Sequence, residues 1–129
     1  MTRLAVFLAF IGLLASTTAF AQSSQRTELA KGDLTGKDMD IIVSTVEVPP
    51  GASGVMHTHP GEEAYYVIDG ATAILPDGKQ VTFEPGVAKI NVRGVPHGAF
   101  TVTGNKTLKL LTVHIVDKGK PMTTAAKQN

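Results

Sequence analysis

The stretch GASGVMHTHPGEEAYYVIDG, residues 51–70, sets two histidines one residue apart and a glutamate four residues after the second, ahead of a β-branched and aromatic run. Residues two apart in an extended chain share a face, with roughly 6.5 to 7 Å between their backbones. His57 and His59 therefore reach toward one point from one side of a strand. Pro60 and Gly61 interrupt that strand, because proline lacks the N–H that a ladder needs and glycine tolerates the turn. The turn brings Glu63 back toward the same point from a neighbouring strand. Glu62 is the adjacent carboxylate, and alternation with Tyr65 and Val67 sets Glu63 inward and Glu62 outward.

Outward from this stretch, short β-branched runs are separated by Gly, Pro and Asp turns, which is all-β punctuation. Strands are expected over residues 40–48, 55–59, 63–68, 72–75, 79–83, 88–92, 98–103 and 108–116, with a short one at 27–30. Asp69-Gly70 and Pro76-Asp77-Gly78 are hairpin signals. With no helix between the strands, a small closed antiparallel barrel follows. The organisation expected is a flexible arm over residues 22–37, the barrel over 38–117 and a tail over 118–129.

Residues 1–21 read as an export signal peptide. Arg3 precedes the apolar run Leu4 to Ala15, and Ala19-Phe20-Ala21 supplies a small-x-small cleavage site. Twelve residues rise only about 18 Å as a helix, short of the roughly 30 Å hydrocarbon core of a membrane. The expected location is periplasmic or secreted, without stable membrane insertion once the leader is removed. Over the 129 residues, 12 Lys and Arg face 11 Asp and Glu, a net charge of +1. No basic field exists for a phosphate backbone, so a nucleic acid partner is not expected. The absence of Cys excludes disulfide scaffolds, thiolate metal clusters and cysteine nucleophiles.

A third imidazole, His97, follows Gly94-Val95-Pro96 at the start of another strand. Three imidazole nitrogens and one carboxylate oxygen suit a divalent transition ion: Fe, Mn, Ni, Co, Cu or Zn. Four protein ligands, His57, His59, Glu63 and His97, leave one or two positions of an octahedral ion for water or substrate.

At these residues the sequence resembles the cupin superfamily. Its first motif runs Gly, five residues, His-x-His, three or four residues, Glu, six residues, Gly, and is met by Gly51, His57, His59, Glu63 and Gly70. The second is met at Gly86, Gly94 and His97, while Val92 stands where proline is usual and Thr101 where asparagine is usual. The resemblance implies a double-stranded β-helix jelly roll that binds a metal. It also implies a small-molecule function, since its members include dioxygenases, isomerases, lyases, decarboxylases and non-catalytic binders. Fold does not choose among these. The leading expectation is a metalloenzyme acting on a small oxygen-bearing organic molecule, with Glu63 also serving as the catalytic base. The alternative is a metal-dependent binding or sensing module.

Other residues carry more than one reading. Leu108, Leu110, Thr112, His114 and Val116 share one face, so His114 is a pocket residue, a buried histidine satisfied by backbone, or one at a subunit contact. Tyr65 either orients Glu63 or a substrate, or packs as wall. Tyr66, Phe83 and Phe100 are core or interface aromatics, and Met56 a pocket wall. A homodimer covering exposed strand edges is expected.

Overall fold

The computed structural model describes residues 22–127, so the leader expected over residues 1–21 lies outside the described residues. The strands are β1 (Gln25–Asp33), β2 (Met39–Val48), β3 (Ser53–Gly54), β4 (His57–Thr58), β5 (Gly61–Asp69), β6 (Ala71–Ile74), β7 (Gln80–Phe83), β8 (Ala88–Asn91), β9 (Phe100–Thr103), β10 (Leu108–Asp117) and β11 (Thr124–Ala125). A five-stranded sheet runs β1-β2-β10-β5-β8 and a four-stranded sheet runs β3-β9-β6-β7, with β11-β4 as a separate pair. No helix among the described residues is long and apolar enough to cross a membrane.

The expected closed barrel is corrected here: the two sheets form an open roll, and no ladder closes them among the described residues. Pro49 and Pro50 follow β2 directly and supply no N–H to carry its pairing onward. Beyond them β3 and β4 are two residues each, too short to bridge the sheets.

Alternation along the long strands decides what lies between the sheets. On β10, Leu108, Thr112, His114 and Val116 are buried, with Leu110 half-buried on the same inner face. On β5 the inner face carries Gly61, Glu63, Tyr65 and Val67. Each inner row therefore changes character along its length. At one end Val48, Ala52, Val67, Ala71, Val102 and Leu108 form the apolar core, flanked by Val46, Tyr65, Phe83, Phe100 and Leu110. At the other end the same strands present Thr112, His114 and Glu63. The apolar end supplies the burial that holds the roll together, and the polar end is left for the site.

Gly61 is where these strands meet most closely. A Cβ there would collide with the Ile115 carbonyl, so only glycine lets β5 start tight against β10.

Two segments differ from expectation. The arm is a strand that pairs with β2 along its length, longer than the stretch 27–30, and Leu29 is bulged out between Glu28 and Ala30. The tail returns to pair Thr124 and Ala125 with Thr58 and His57. Composition hid both, because every residue of β1 is exposed and the tail has one large apolar residue, Met122.

Candidate metal centre

His57 lies on β4, and its backbone N–H and C=O pair with those of His97 at 2.9 and 3.0 Å. Gly94 N–H donates to the His59 carbonyl at 3.1 Å. These bonds stitch together the two stretches that carry the histidines. Gly98, at φ +93°, packs so closely that a Cβ there would stand 2.6 Å from His57 Cε1. Glu63 sits on β5 between His114 of β10 and Asn91 of β8, one cross-strand row on the inner face.

The three expected imidazoles converge. Their ring centroids lie 4.5 to 4.9 Å apart. His57 Nε2 is 3.2 Å from His59 Nε2. Glu63 Oε2 is 3.4 Å from His59 Nε2 and 3.3 Å from His97 Nε2. His59 and Glu63 are buried, while His57 and His97 are partly open to the cavity.

Each imidazole has its other nitrogen on a carbonyl: His57 Nδ1 on Val55 at 2.7 Å, His59 Nδ1 on Met122 at 2.6 Å and His97 Nδ1 on Val95 at 2.9 Å. A carbonyl only accepts, so each Nδ1 carries the proton and each neutral ring keeps a lone pair at Nε2. The 3.2 Å contact between His57 and His59 then brings two lone pairs together with no hydrogen between them. His97 Nε2 is buried without a hydrogen-bond partner. Adjacent donors around an ion with bonds of roughly 2.1 Å stand about 3 Å apart, and His57, His59 and His97 form one group whose spacing suits a divalent transition ion, with Glu63 touching two of the three and grouping with His59 and His114.

The Glu63 carboxyl is under opposing influences. Burial alone raises it, but the polar partners around it, His114 and the Asn91 amide among them, outweigh burial and hold it well below the usual carboxylate range. The best-directed of these bonds is Asn91 Nδ2 to Oε2 at 2.8 Å. His114 Nε2 stands 3.3 Å from Oε1. Burial lowers His57 and His114 below the ordinary histidine value.

His114 is therefore at the site: fully buried, its ring edge-on to His59 at 4.5 Å. It also forms a second possible ligand group with His59 and Glu63. Tyr65 lines the cavity, and burial together with the Glu63 charge pushes its phenol up, keeping it a hydrogen-bond donor. Phe83 and Phe100 pack against each other at 5.1 Å on the cavity wall. Tyr66 and Glu62 face outward, and Met56 lines a neighbouring cleft.

The sequence reading missed Arg26 and Asn91. Asn91 shares a face with Lys89 on β8, but that short strand has no apolar period to mark the face as inward. Arg26 carried no signal, because its aim depends on the bulge at Leu29. Its Nη1 donates to Thr112 Oγ1 at 2.9 Å, and Nη2 is 4.0 Å from Glu63 Oε1. The cavity in front of the cluster holds about 630 Å³ and continues into Val46, Val48, Phe83, Phe100 and Leu110.

A two-sheet antiparallel roll with its polar cluster between the sheets defines the double-stranded β-helix class. Residues 44–114 match the family described as "Cupin domain", and the chain belongs to that family. A conserved protein with a double-stranded β-helix domain from Klebsiella pneumoniae superposes with TM-score 0.61 at 19% identity, covering 82% of this chain and 86% of that one, a likeness of fold. The polyketide cyclase RemF from Streptomyces resistomycificus superposes with TM-score 0.60 at 26% identity, over 82% of this chain and 72% of that one. An oxalate-binding protein of Thermotoga maritima is 33% identical over 76 residues, 58% of this chain and 62% of that protein. The match spans less than two thirds of that relative.

Proposed function

We propose that this chain is a metalloenzyme in which His57, His59, Glu63 and His97 hold one divalent transition ion and a small oxygen-bearing organic molecule enters the adjoining cavity. The observation that carries the proposal is the meeting of Nε2 lone pairs on rings whose Nδ1 atoms are all committed to carbonyls. When bound, the ion supplies Lewis acidity toward a carbonyl, carboxylate or enolate oxygen. The reaction class fits isomerase, lyase or oxygenase chemistry on such a molecule. The 26% identity to a polyketide cyclase is consistent with that range.

The chain's own groups divide the remaining work. Tyr65 presents a protonated phenol to the cavity. The apolar walls at Val46, Phe83, Phe100 and Leu110 exclude water from the far end. Glu63 is the candidate base, and its two oxygens are differently engaged: Oε2 faces the histidines and Asn91, Oε1 faces His114 and Arg26. Partners that hold a carboxylate in its charged form make it a weak base, so Glu63 serves only a proton of matching acidity.

Chelating keto acids, catechols and flavonols, supplied to metal-loaded protein with and without dioxygen, test the proposal. Turnover of one of them, abolished in His57→Ala and His97→Ala together with metal content falling from about one ion per chain to below about a tenth, is the expected result. Tight retention without turnover across several metals establishes the alternative, a binding or sensing module. That second reading is favoured by the similarity to an oxalate-binding protein and by Glu63 being, among the described residues, the one carboxylate on the cavity wall.

Export through a leader over residues 1–21 and pairing into a homodimer belong to the same proposal. On the outer face of the five-stranded sheet Tyr66, Ile68 and Ile90 are exposed beside the half-buried Val43, Leu111, Val113 and Ile115, a surface suited to a second copy. Light scattering giving a monomer mass at micromolar concentration would remove the dimer from the account.

A further inference from the structure

The two outermost strands of the five-stranded sheet each turn one cation toward the metal centre. Arg26 stands on β1 at one edge and Lys89 on β8 at the other, and both line the cavity that Glu63, His57 and His97 share. Lys89 lies opposite Tyr65 on β5, next along the inner face to the row that holds Glu63. Arg26 owes its aim to the Leu29 bulge. Before the bulge Arg26 pairs with Val46, and after it Lys31 pairs with Ile42. Two residues an odd number apart thereby share the inner face, which an unbroken strand forbids.

Neither cation is neutralised by its surroundings. Among the described residues Lys89 has no ion pair. The carboxylate nearest Arg26 is Glu63, at the 4.0 Å limit and already engaged by three histidines and Asn91. Arg26 has five N–H donors, of which one is used, on Thr112. Its side chain is 29% exposed, and burial lowers its proton affinity against the pull of Glu63. Two positive side chains against the one carboxylate lining this cavity among the described residues leave it positive, and a divalent ion on the histidines adds to the excess. For Arg26, partly buried, an uncompensated charge is costly, and its planar guanidinium beside the exposed, flexible ammonium of Lys89 is a donor set matched to carboxylate oxygens.

We infer that Arg26 and Lys89 form an anion clamp, and that the molecule bound beside the metal centre is a small organic carboxylate held between these two edge strands. The inference rests on the proposed metal-dependent function and specifies its substrate class. Arg26 and Lys89 are binding residues here, because they touch the ligand and leave the ion to His57, His59, Glu63 and His97. Discrimination comes from the same pair: a neutral chelator of equal size leaves both cations unpaired and is rejected.

Calorimetric titration of the zinc-loaded and metal-free full chain with oxalate, and with its neutral isostere oxamide, tests the clamp. Oxalate should bind the zinc-loaded protein at least about tenfold more tightly than oxamide. Arg26→Gln and Lys89→Gln should each weaken oxalate roughly ten- to a hundredfold while zinc content and oxamide binding stay unchanged. Arg26→Lys should recover part of the loss, and Lys37→Gln, in the exposed β1–β2 turn, should match wild type. In the metal-free chain the dependence on Arg26 and Lys89 should persist at lower affinity. A chain that takes up no zinc but keeps that dependence refutes the metal reading and spares the clamp. Zinc-loaded protein that binds oxalate no better than oxamide, or binds it undiminished in both variants, overturns the clamp. So does loss of zinc in Arg26→Gln with oxalate affinity per bound ion unchanged, which would make Arg26 a partner of Glu63 alone.

Discussion

An imidazole whose Nδ1 proton is given to a carbonyl presents a lone pair at Nε2, and at this site three such lone pairs and a carboxylate oxygen share one small volume. Without a cation the arrangement stores repulsion, and its response to acid is definite. His57 and His114 titrate below the ordinary value of 6.5 in the fold because burial disfavours their charged forms. As pH falls below about 6.5 the unfolded chain takes up protons first, and the fold loses stability. Glu63, depressed from 4.5, contributes stability that is present above about 4.5 and lost as pH falls below it. Melting temperatures of metal-free protein between pH 8 and pH 4 should therefore decline in two stages, and a flat profile from pH 7.5 to 5 would contradict the burial of these neutral rings. That His57, His59 and Glu63 point to one place was legible because His-x-His and the following Glu obey a period of two, while His97 was drawn in by the second motif. His114 was legible as an inward residue, while its partnership with Glu63 needed a register between distant strands.

Elements and the turns between them place those residues. The segment after β8 is tied down at both ends: Arg93 makes a two-point ion pair with Asp117 at 3.0 Å, and His97 pairs with His57 through the backbone. Gly98 is the tightest point of this segment. Gly98→Ala places a methyl group in a backbone region that alanine rarely adopts, against the His57 ring. It should cost about 1–3 kcal/mol of stability and weaken metal binding at the same time. Chemical denaturation and metal titration of the one variant check both, and unaltered metal affinity would place His57 outside the ligand set. Long strands such as β2, β5 and β10 were readable from alternation. The length and aim of β1 were not, because an exposed edge strand carries no apolar period and a single bulged residue, Leu29, reverses its faces. The five-residue span expected at 55–59 shrank for a related reason: only His57 and Thr58 form a strand, β4, which pairs with β11 apart from both larger sheets, and two residues are too few to show a period.

Across the whole molecule, the apolar end and the polar end of the roll have separable tasks. Leu108 is fully buried opposite Val48, away from the histidines. Leu108→Ala should cost about 2–5 kcal/mol in unfolding free energy yet leave metal stoichiometry unchanged. Loss of metal in that variant, at temperatures where it remains folded, would show the two ends to be coupled. Closure of the roll was beyond the sequence, since strand count predicts a barrel while the prolines after β2 and the two-residue strands leave the sheets open. The central claim is that one ion occupies the meeting point of His57, His59, Glu63 and His97, and anomalous diffraction from crystals of the metal-loaded chain measures this most directly. The account predicts a single peak at about 2.0–2.3 Å from the three Nε2 atoms and one Glu63 oxygen. An ion held by His114 in place of His57 and His97, or no peak among these side chains, would contradict it.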